Sequence, residues 1–227
     1  MREIVIDTET TGLDPRDGHR IVEIACVELI HHVPTGRKFH RYVNPERDIP
    51  ADAMAVHGLD ADFLASHPTF GGVADEFAAF AAGDPLVIHN AEFDLAFINA
   101  EFARLGRGPL VCPVVDTLAV ARRRFPGAPA SLDALCRRFG VDLSARDRHG
   151  AEIDCSLLAA VYIELLGGKQ PGLDFAAIAS DDLAEGMGAA HRRPPRAARP
   201  HAPSPEEHAA HQAMLAAITA PLWLAAG

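Results

Sequence analysis

The order of apolar segments along the chain leaves few folds open. Three β-type segments come first, an apolar run at 3–6 (EIVI) and partly alternating runs at 21–29 (IVEIACVEL) and 38–43 (KFHRYV). The pattern then alternates between compact strands, at 86–89 and 114–115, and helix-type spacing, at 52–66, 73–82, 91–105, 117–124, 131–139 and 151–166. Strands that precede alternating helices and strands predict an α/β domain with a mixed central sheet flanked by helices.

The composition is that of a folded chain with no membrane span. Hydrophobic residues make up 48% of the 227 residues and charged residues 23%, which excludes wholesale disorder. No apolar run approaches the roughly 18 residues that a bilayer-spanning helix needs, and no segment has signal-peptide flanks. The four cysteines are scattered without the short spacings of a zinc site. We therefore expect a soluble protein with reduced thiols, no membrane contact and a cytoplasmic location.

The charge of the chain argues against non-specific binding of nucleic acid. The formal net charge is −10, and residues 1–168 carry 25 acidic and 16 basic side chains. Contacts of Lys and Arg with phosphates supply most non-specific affinity for nucleic acid. If the substrate is nucleic acid, bound divalent cations or a tethering partner must therefore offset the repulsion.

The composition also divides the chain into a domain, 1–168, and a tail. After the start of the tail, 169–183, the segment 184–203 is rich in Pro, Ala and Arg and has almost no large apolar side chain, so we expect a flexible linker. We expect order to return in a last segment, 204–227.

The last segment begins with the signals of a helix N-terminus. Ser204 suits the N-cap, Pro205 the first helical position, and Glu207 completes a capping box. A short helix after these residues would place four apolar side chains on one stripe, Ala210, Met214, Leu215 and Ile218. Because so short a helix is marginal in water by itself, we expect it to dock on a partner.

Acidic side chains follow or interrupt three of the apolar segments. Asp7 and Glu9 are two residues apart at the end of the first strand, so both point to the same face. Asp94 lies in the first turn of the helix that follows the buried strand at 86–89. Asp154 lies in an otherwise apolar helix, where a carboxylate is costly unless it is paired or bound to a metal.

Each acidic residue alone has an ordinary explanation, such as an exposed turn or a favoured place at a helix N-terminus. Together with His149, just before the last helix of the domain, they form a set of four carboxylates and one imidazole. Carboxylate oxygens suit Mg²⁺ or Mn²⁺ better than zinc. A pair of such ions catalyses phosphodiester hydrolysis, and a neutral imidazole is a suitable general base near pH 7.

Three motifs in this chain resemble those of the DEDDh exonuclease family, namely Asp7-Thr-Glu9-Thr-Thr-Gly12, His89-Asn90-x-x-Phe93-Asp94 and His149-Gly150-x-x-x-Asp154. The resemblance covers residues 3–168 and is greatest to the branch that proofreads for bacterial replicative polymerases. It implies an RNase H-like fold, 3′→5′ removal of nucleotides from DNA, and dependence on two divalent cations, Mg²⁺ or Mn²⁺.

The resemblance also implies roles for individual residues. Asp7, Glu9 and Asp154 would hold the metals directly and contact the substrate, Asp94 would hold the second ion, and His149 would be the base. Asp52 and His57 are expected to contact the terminal nucleotide. Thr11 and Leu13 are expected to pack against the base or sugar of the same nucleotide.

Two segments of the tail resemble docking segments of the same branch. Residues 170–175 (QPGLDF) resemble a peptide that binds the bacterial sliding clamp, with Gln170, Leu173 and Phe175 entering its pocket. The segment 204–224 resembles the one that binds the polymerase (alpha) subunit. Its expected contact residues are Met214, Leu215, Ile218 and Trp223.

Two other functions remain open. A stand-alone DEDDh nuclease acting on RNA or repair intermediates would not need a linker that ends in a docking helix. An inactive scaffold would not need four carboxylates together with His149. The arginine run 122–124 is expected to be a solvated helix face, with contact to a DNA backbone as the less favoured alternative.

Overall fold

The computed structural model describes residues 1–81, 83–144, 149–168 and 202–218. They belong to two compact units, residues 1–173 and 174–227. Within the described ranges no helix has both the length and the apolar character required to cross a membrane.

A five-stranded mixed sheet forms the centre of the first unit. Its strands are β1 (Arg2–Thr10), β2 (Ile21–Ile30), β3 (Val33–Tyr42), β4 (Leu86–Ile88) and β5 (Val114–Asp116), in the order β3-β2-β1-β4-β5. The first three strands pair antiparallel, whereas β4 runs parallel to β1 and β5 runs parallel to β4. The carboxyl ends of β1 and β4 therefore meet at one edge of the sheet.

Helices cover both faces of the sheet. Their bounds are α1 (Ala51–His57), α2 (Ala61–Ala65), α3 (Phe70–Ala81), α4 (Ala91–Arg104), α5 (Thr117–Arg124), α6 (Leu132–Phe139) and α7 (Ala151–Leu165), with a 3₁₀ turn at Pro15–Asp17. Because side chains alternate along a strand, Ile4 and Ile6 of β1 pack in a core with residues of α3 and α4. Val5 packs in a second core with residues of α5, α6 and α7.

The structure confirms the predicted element types but shifts several of the predicted bounds. The single helix predicted over 52–66 is wrong, because Gly58 adopts a left-handed backbone (φ 76°) that ends α1. Asp60 then caps α2, its side chain accepting a hydrogen bond from the Phe63 N–H. Strand β3 begins at Val33 and not at 38, since its pairing with β2 continues to the pair Ile30 and Val33.

The described part of the second unit contains α8 (Pro205–Ala217). The predicted capping box is present, since Ser204 Oγ accepts from the Glu207 N–H (3.2 Å) and Glu207 Oε2 accepts from the Ser204 N–H (2.8 Å). The prediction that Ile218 continues the helical stripe is wrong, because its backbone is extended (φ −93°). Proline has no backbone N–H, so a helix continued to Pro221 could not form the hydrogen bond to the Ala217 carbonyl.

Candidate active site

The acidic residues of the three motifs converge at the carboxyl ends of β1 and β4. Three residues each offer a ligand atom: Glu9 of β1, Asp154 of α7, and His149, which precedes α7. These three atoms lie within 4.8 Å of one another. His149 Nδ1 is 3.4 Å from Asp154 Oδ2. Asp7, from the same strand as Glu9, lines a cleft together with His149 and Asp154.

Local backbone geometry brings these side chains to one place. Strand β1 continues through both acidic residues, which lie opposite Ala25 and Glu23 of β2, and its register is irregular directly after Glu9. Between β4 and α4, Asn90 adopts a left-handed backbone (φ 70°, ψ 58°), a conformation that asparagine tolerates better than most residues. The chain therefore passes directly from β4 into the turn of α4 that carries Asp94.

Asp94 is almost fully buried, with 3% of its surface exposed. Thr8 donates a hydrogen bond from Oγ1 to Asp94 Oδ1 (2.7 Å). This bond favours the charged carboxylate, but burial outweighs it and raises the pKa of Asp94 to about 7. Asp94 is thus held ready to ionise when a cation approaches.

Asp7 is partly exposed, unlike Asp94, and is subject to charge repulsion from more neighbouring carboxylates. Burial, followed by the charges of Asp94, Glu9 and Asp154, raises the pKa of Asp7 well above its usual range. Carboxylates placed together in this way are stabilised in their charged form by a cation between them. The oxygen-rich donor set therefore fits Mg²⁺ or Mn²⁺ by its chemistry.

Glu23 of β2 connects the sheet to the start of α7. Its buried carboxylate accepts a hydrogen bond from the Ala151 N–H (3.1 Å) and lies 2.7 Å from His40 Nε2. The sequence alone predicts no role for Glu23 or for Thr8. The signal for Glu23 was an acidic residue inside an apolar β-type run, where it cannot avoid burial.

A cleft of about 630 Å³ lies beside the carboxylates and is lined by Glu9 and by all four residues expected at the nucleotide. Leu13 is 86% exposed, and Asp52 lies exposed in the first turn of α1. Thr11 is fully buried, and its hydroxyl accepts a hydrogen bond from the Arg20 N–H (3.0 Å). The contact of Thr11 with a nucleotide remains a prediction.

His57 presents a hydrogen-bond donor at this cleft. The Leu59 N–H donates to His57 Nδ1 (3.0 Å), so the neutral ring carries its proton on Nε2. Burial lowers the pKa of His57 and keeps the ring neutral near pH 7. Nε2 is shielded from solvent, and no residue in the described ranges accepts a hydrogen bond from it.

Three of the predicted docking residues lie in the described part of the chain. On the second unit Met214 is half-exposed and Leu215 is largely buried, and Ile218 directly follows α8. Gln170, Leu173, Phe175 and Trp223 lie outside the described residues.

Comparison with known proteins agrees with the three motifs. An exonuclease family model (RNase_T) matches residues 4–162. The DNA polymerase III subunit epsilon of Rickettsia felis is 52% identical over 174 residues, which cover 75% of this chain and 76% of that protein. The epsilon subunit of Escherichia coli K12 is 42% identical over 224 residues, or 94% and 92% of the two chains. The chain belongs to the epsilon family of exonucleases.

Solved structures similar to this epsilon-family chain confirm the predicted fold. Exonuclease X in complex with 5′-overhanging duplex DNA has a TM-score of 0.59 and 28% identity, covering 72% of this chain and 90% of that one. The nuclease domain of 3′hExo, described as a DEDDh family member bound to rAMP, has a TM-score of 0.63 and 20% identity over 73% and 91%. The chain is therefore a hydrolytic exonuclease with the RNase H-like fold, a fold that typically depends on divalent metal ions.

Proposed function

We propose that this chain is the proofreading subunit of a replicative DNA polymerase and removes mispaired nucleotides from DNA 3′ ends. The observation that carries the proposal is the meeting of Asp7, Glu9, Asp154 and His149 beside a cleft, with Asp94 hydrogen-bonded to Thr8 next to them. The similarity to the Escherichia coli epsilon subunit over nearly the whole chain supports the assignment to replication.

The carboxylates would hold two divalent cations, Mg²⁺ or Mn²⁺. Asp7, Glu9 and Asp154 would bind them directly, and Asp94 would hold the second ion. Such ions, when bound, stabilise charge on the phosphate and make water more acidic. Their positive charge would also offset the burial that raises the pKa of Asp7 and of Asp94, and the repulsion among the carboxylates around Asp7.

His149 would act as the general base. Its side chain is 52% exposed and lies beside the buried Asp154, so the ring faces both water and the carboxylates. The neutral imidazole takes a proton from the water that attacks phosphorus. The bond from phosphorus to the 3′ oxygen of the preceding nucleotide breaks, and that oxygen takes up a proton. The products are a nucleoside 5′-monophosphate and a strand shortened by one nucleotide.

The cleft beside Glu9 would hold the terminal nucleotide. A 3′-hydroxyl both donates and accepts hydrogen bonds, and this cleft offers the Asp52 carboxylate as acceptor and the His57 Nε2–H as donor. Leu13 is exposed and would pack against the base. Because terminal bases must unpair to reach the cleft, a mismatch that has already lost pairing energy enters at lower cost.

The tail would tether this activity to its partners. We assign residues 1–168 to the nuclease domain, 169–183 to the start of the tail and 184–203 to the linker. Residues 170–175 would bind the sliding clamp, and 204–227 would bind the polymerase alpha subunit. The match to the Escherichia coli protein extends over 94% of this chain and thus supports a tail of the same kind. With this role in replication, the chain would act in the cytoplasm.

Hydrolysis of a 5′-labelled primer tests the proposed function. The purified chain should shorten the primer from its 3′ end with Mg²⁺ present and act faster on a mispaired end than on a paired one. EDTA and the Asp7→Ala variant should each abolish cleavage, with the variant still folded by circular dichroism. Cleavage that persists in EDTA or in this variant would contradict the proposal. A preference for RNA of the same sequence would favour the stand-alone nuclease.

A further inference from the structure

A second cleft, of about 570 Å³, opens at the acidic site. Asp7, His149 and Asp154 form one part of its wall, and the start of α6 and residues of α5 form another. No residue in the described ranges lines both this cleft and the nucleotide cleft. The acidic site thus adjoins two clefts, of which the proposed function uses one.

Arg122 of α5 is the one arginine or lysine among the described residues that line the second cleft. Its side chain is exposed, and it makes no hydrogen bond or ion pair with any residue in the described part of the chain. Arg124 differs, because its Nη1 donates to the Glu164 carbonyl (3.1 Å) and to the Leu165 carbonyl at the end of α7. Arg123 is also exposed but does not line the cleft.

The surroundings of Arg122 suit one phosphate. In an acidic domain, a single cation in a cleft provides a local site for an anion, and an arginine fork matches phosphate oxygens. Ser131 lines the same cleft, and its Oγ accepts a hydrogen bond from the Ala134 N–H (3.3 Å), which leaves the hydroxyl proton to donate. Asp133 also lines the cleft. Its negative charge is partly offset by Arg137, whose Nη2 lies 3.7 Å from Asp133 Oδ2.

We propose that this second cleft is the binding site for the strand upstream of the scissile bond, and that Arg122 binds the next phosphate of that strand. The proposal rests on the proposed function, because it requires a terminal phosphate at the carboxylates. A strand so placed must leave the acidic site through an adjoining opening, and this cleft is such an opening with a cation in its wall.

Two substrates separate this site from the nucleotide cleft. A single-stranded DNA oligonucleotide has an upstream strand, whereas the p-nitrophenyl ester of thymidine 5′-monophosphate has a phosphodiester and one nucleotide only. Arg122→Ala should raise the ratio of the oligonucleotide KM to the ester KM by about tenfold, the size of a lost charge-assisted contact. Arg123→Ala, on the same helix with the same loss of charge, should leave the ratio at the wild-type value.

Salt dependence and a conservative variant complete the test. The slope of log kcat/KM against log salt for the oligonucleotide should fall by about 0.7 in Arg122→Ala, the value for one phosphate of a single strand. Arg122→Lys should recover part of the KM ratio, because it keeps the charge without the fork. If Arg122→Ala and Arg123→Ala had equal KM ratios and equal salt slopes, the phosphate site at Arg122 would be overturned, whereas the proposed function would stand. A wild-type chain that hydrolyses neither substrate would overturn the proposed function and this site with it.

Discussion

At the scale of single residues, the raised pKa values of Asp7 and Asp94 determine how metal ions affect stability. Both pKa values lie above the usual value of about 3.9 for an aspartate in an unfolded chain. In the metal-free protein the folded state therefore binds more protons than the unfolded state between about pH 4 and pH 7. The stability that Asp94 contributes is greatest below this window and is lost as the pH rises through it, and the contribution of Asp7 falls in the same direction.

Mg²⁺ should therefore raise the melting temperature more at pH 8 than at pH 5, since it competes with protons for the same carboxylates. At a concentration of 100 times Kd, binding adds about 2.7 kcal/mol, or roughly 5–10 °C for a domain of this size. Differential scanning calorimetry with Mg²⁺ or EDTA measures the shift at each pH. A shift of the same size at both pH values would contradict this origin of the metal effect.

A second prediction at this scale concerns His149. Replacing it with alanine should lower kcat about 100-fold, because the water loses its base, while the rise in melting temperature caused by Mg²⁺ should persist. Steady-state kinetics and calorimetry on the same preparation measure the two effects. Unchanged turnover would remove His149 as the base. Loss of the Mg²⁺ effect would instead make His149 a metal ligand.

The residues of the three motifs could be predicted because local rules place them. Side chains two apart on a strand share a face, which joins Asp7 to Glu9, and an acidic residue in a first helical turn lies near the preceding strand, as Asp94 does. The contact between Glu23 and the Ala151 N–H could not be predicted, because 128 positions separate them and no local pattern pairs them. The free donor of His57 likewise depends on the Leu59 N–H that follows α1.

At the scale of secondary-structure elements, the start of α7 determines where Asp154 lies. Glu23 binds the first helical N–H there, so Glu23→Ala should shift the helix start and lower kcat about tenfold or more, along with stability. Glu28 is the matched control, because it lies on the same strand, is buried to the same degree, and bonds Arg2 (2.6 Å) away from the site.

Glu28→Ala should cost a similar 1–3 kcal/mol of stability, the usual penalty for an unpaired buried group, yet leave kcat near the wild-type value. Both variants are assayed well below their melting temperatures. The conservative Glu23→Gln should recover part of the turnover, because its amide oxygen still accepts the Ala151 N–H. Equal kcat in the two alanine variants would show that Glu23 only stabilises the fold.

Element order was predictable throughout the first unit because each segment has its own hydrophobic period. Element ends were less predictable. The left-handed backbone at Gly58 separates α1 from α2, although the apolar spacing of the sequence continues across this glycine. The pairing that extends β3 back to Val33 depends on β2 and not on residues 33–37 themselves.

At the scale of the whole molecule, we propose different tasks for the acidic domain and for the tail. The net charge of −10 weakens binding to DNA, so tethering would keep the nuclease near its substrate. Deleting residues 200–227 should spare hydrolysis of a free oligonucleotide and abolish co-elution with the polymerase subunit in gel filtration. Co-elution of the truncated chain would move the polymerase contact to another segment.

The central claim is that carboxylates from β1, α4 and α7 bind two divalent cations at one place. Anomalous diffraction from a crystal grown with Mn²⁺ and thymidine 5′-monophosphate tests it most directly. We predict two manganese peaks among Asp7, Glu9, Asp94 and Asp154, with the nucleotide in the cleft lined by Leu13 and His57. An anomalous map with no peak among these carboxylates, at Mn²⁺ concentrations that support hydrolysis, would contradict the claim.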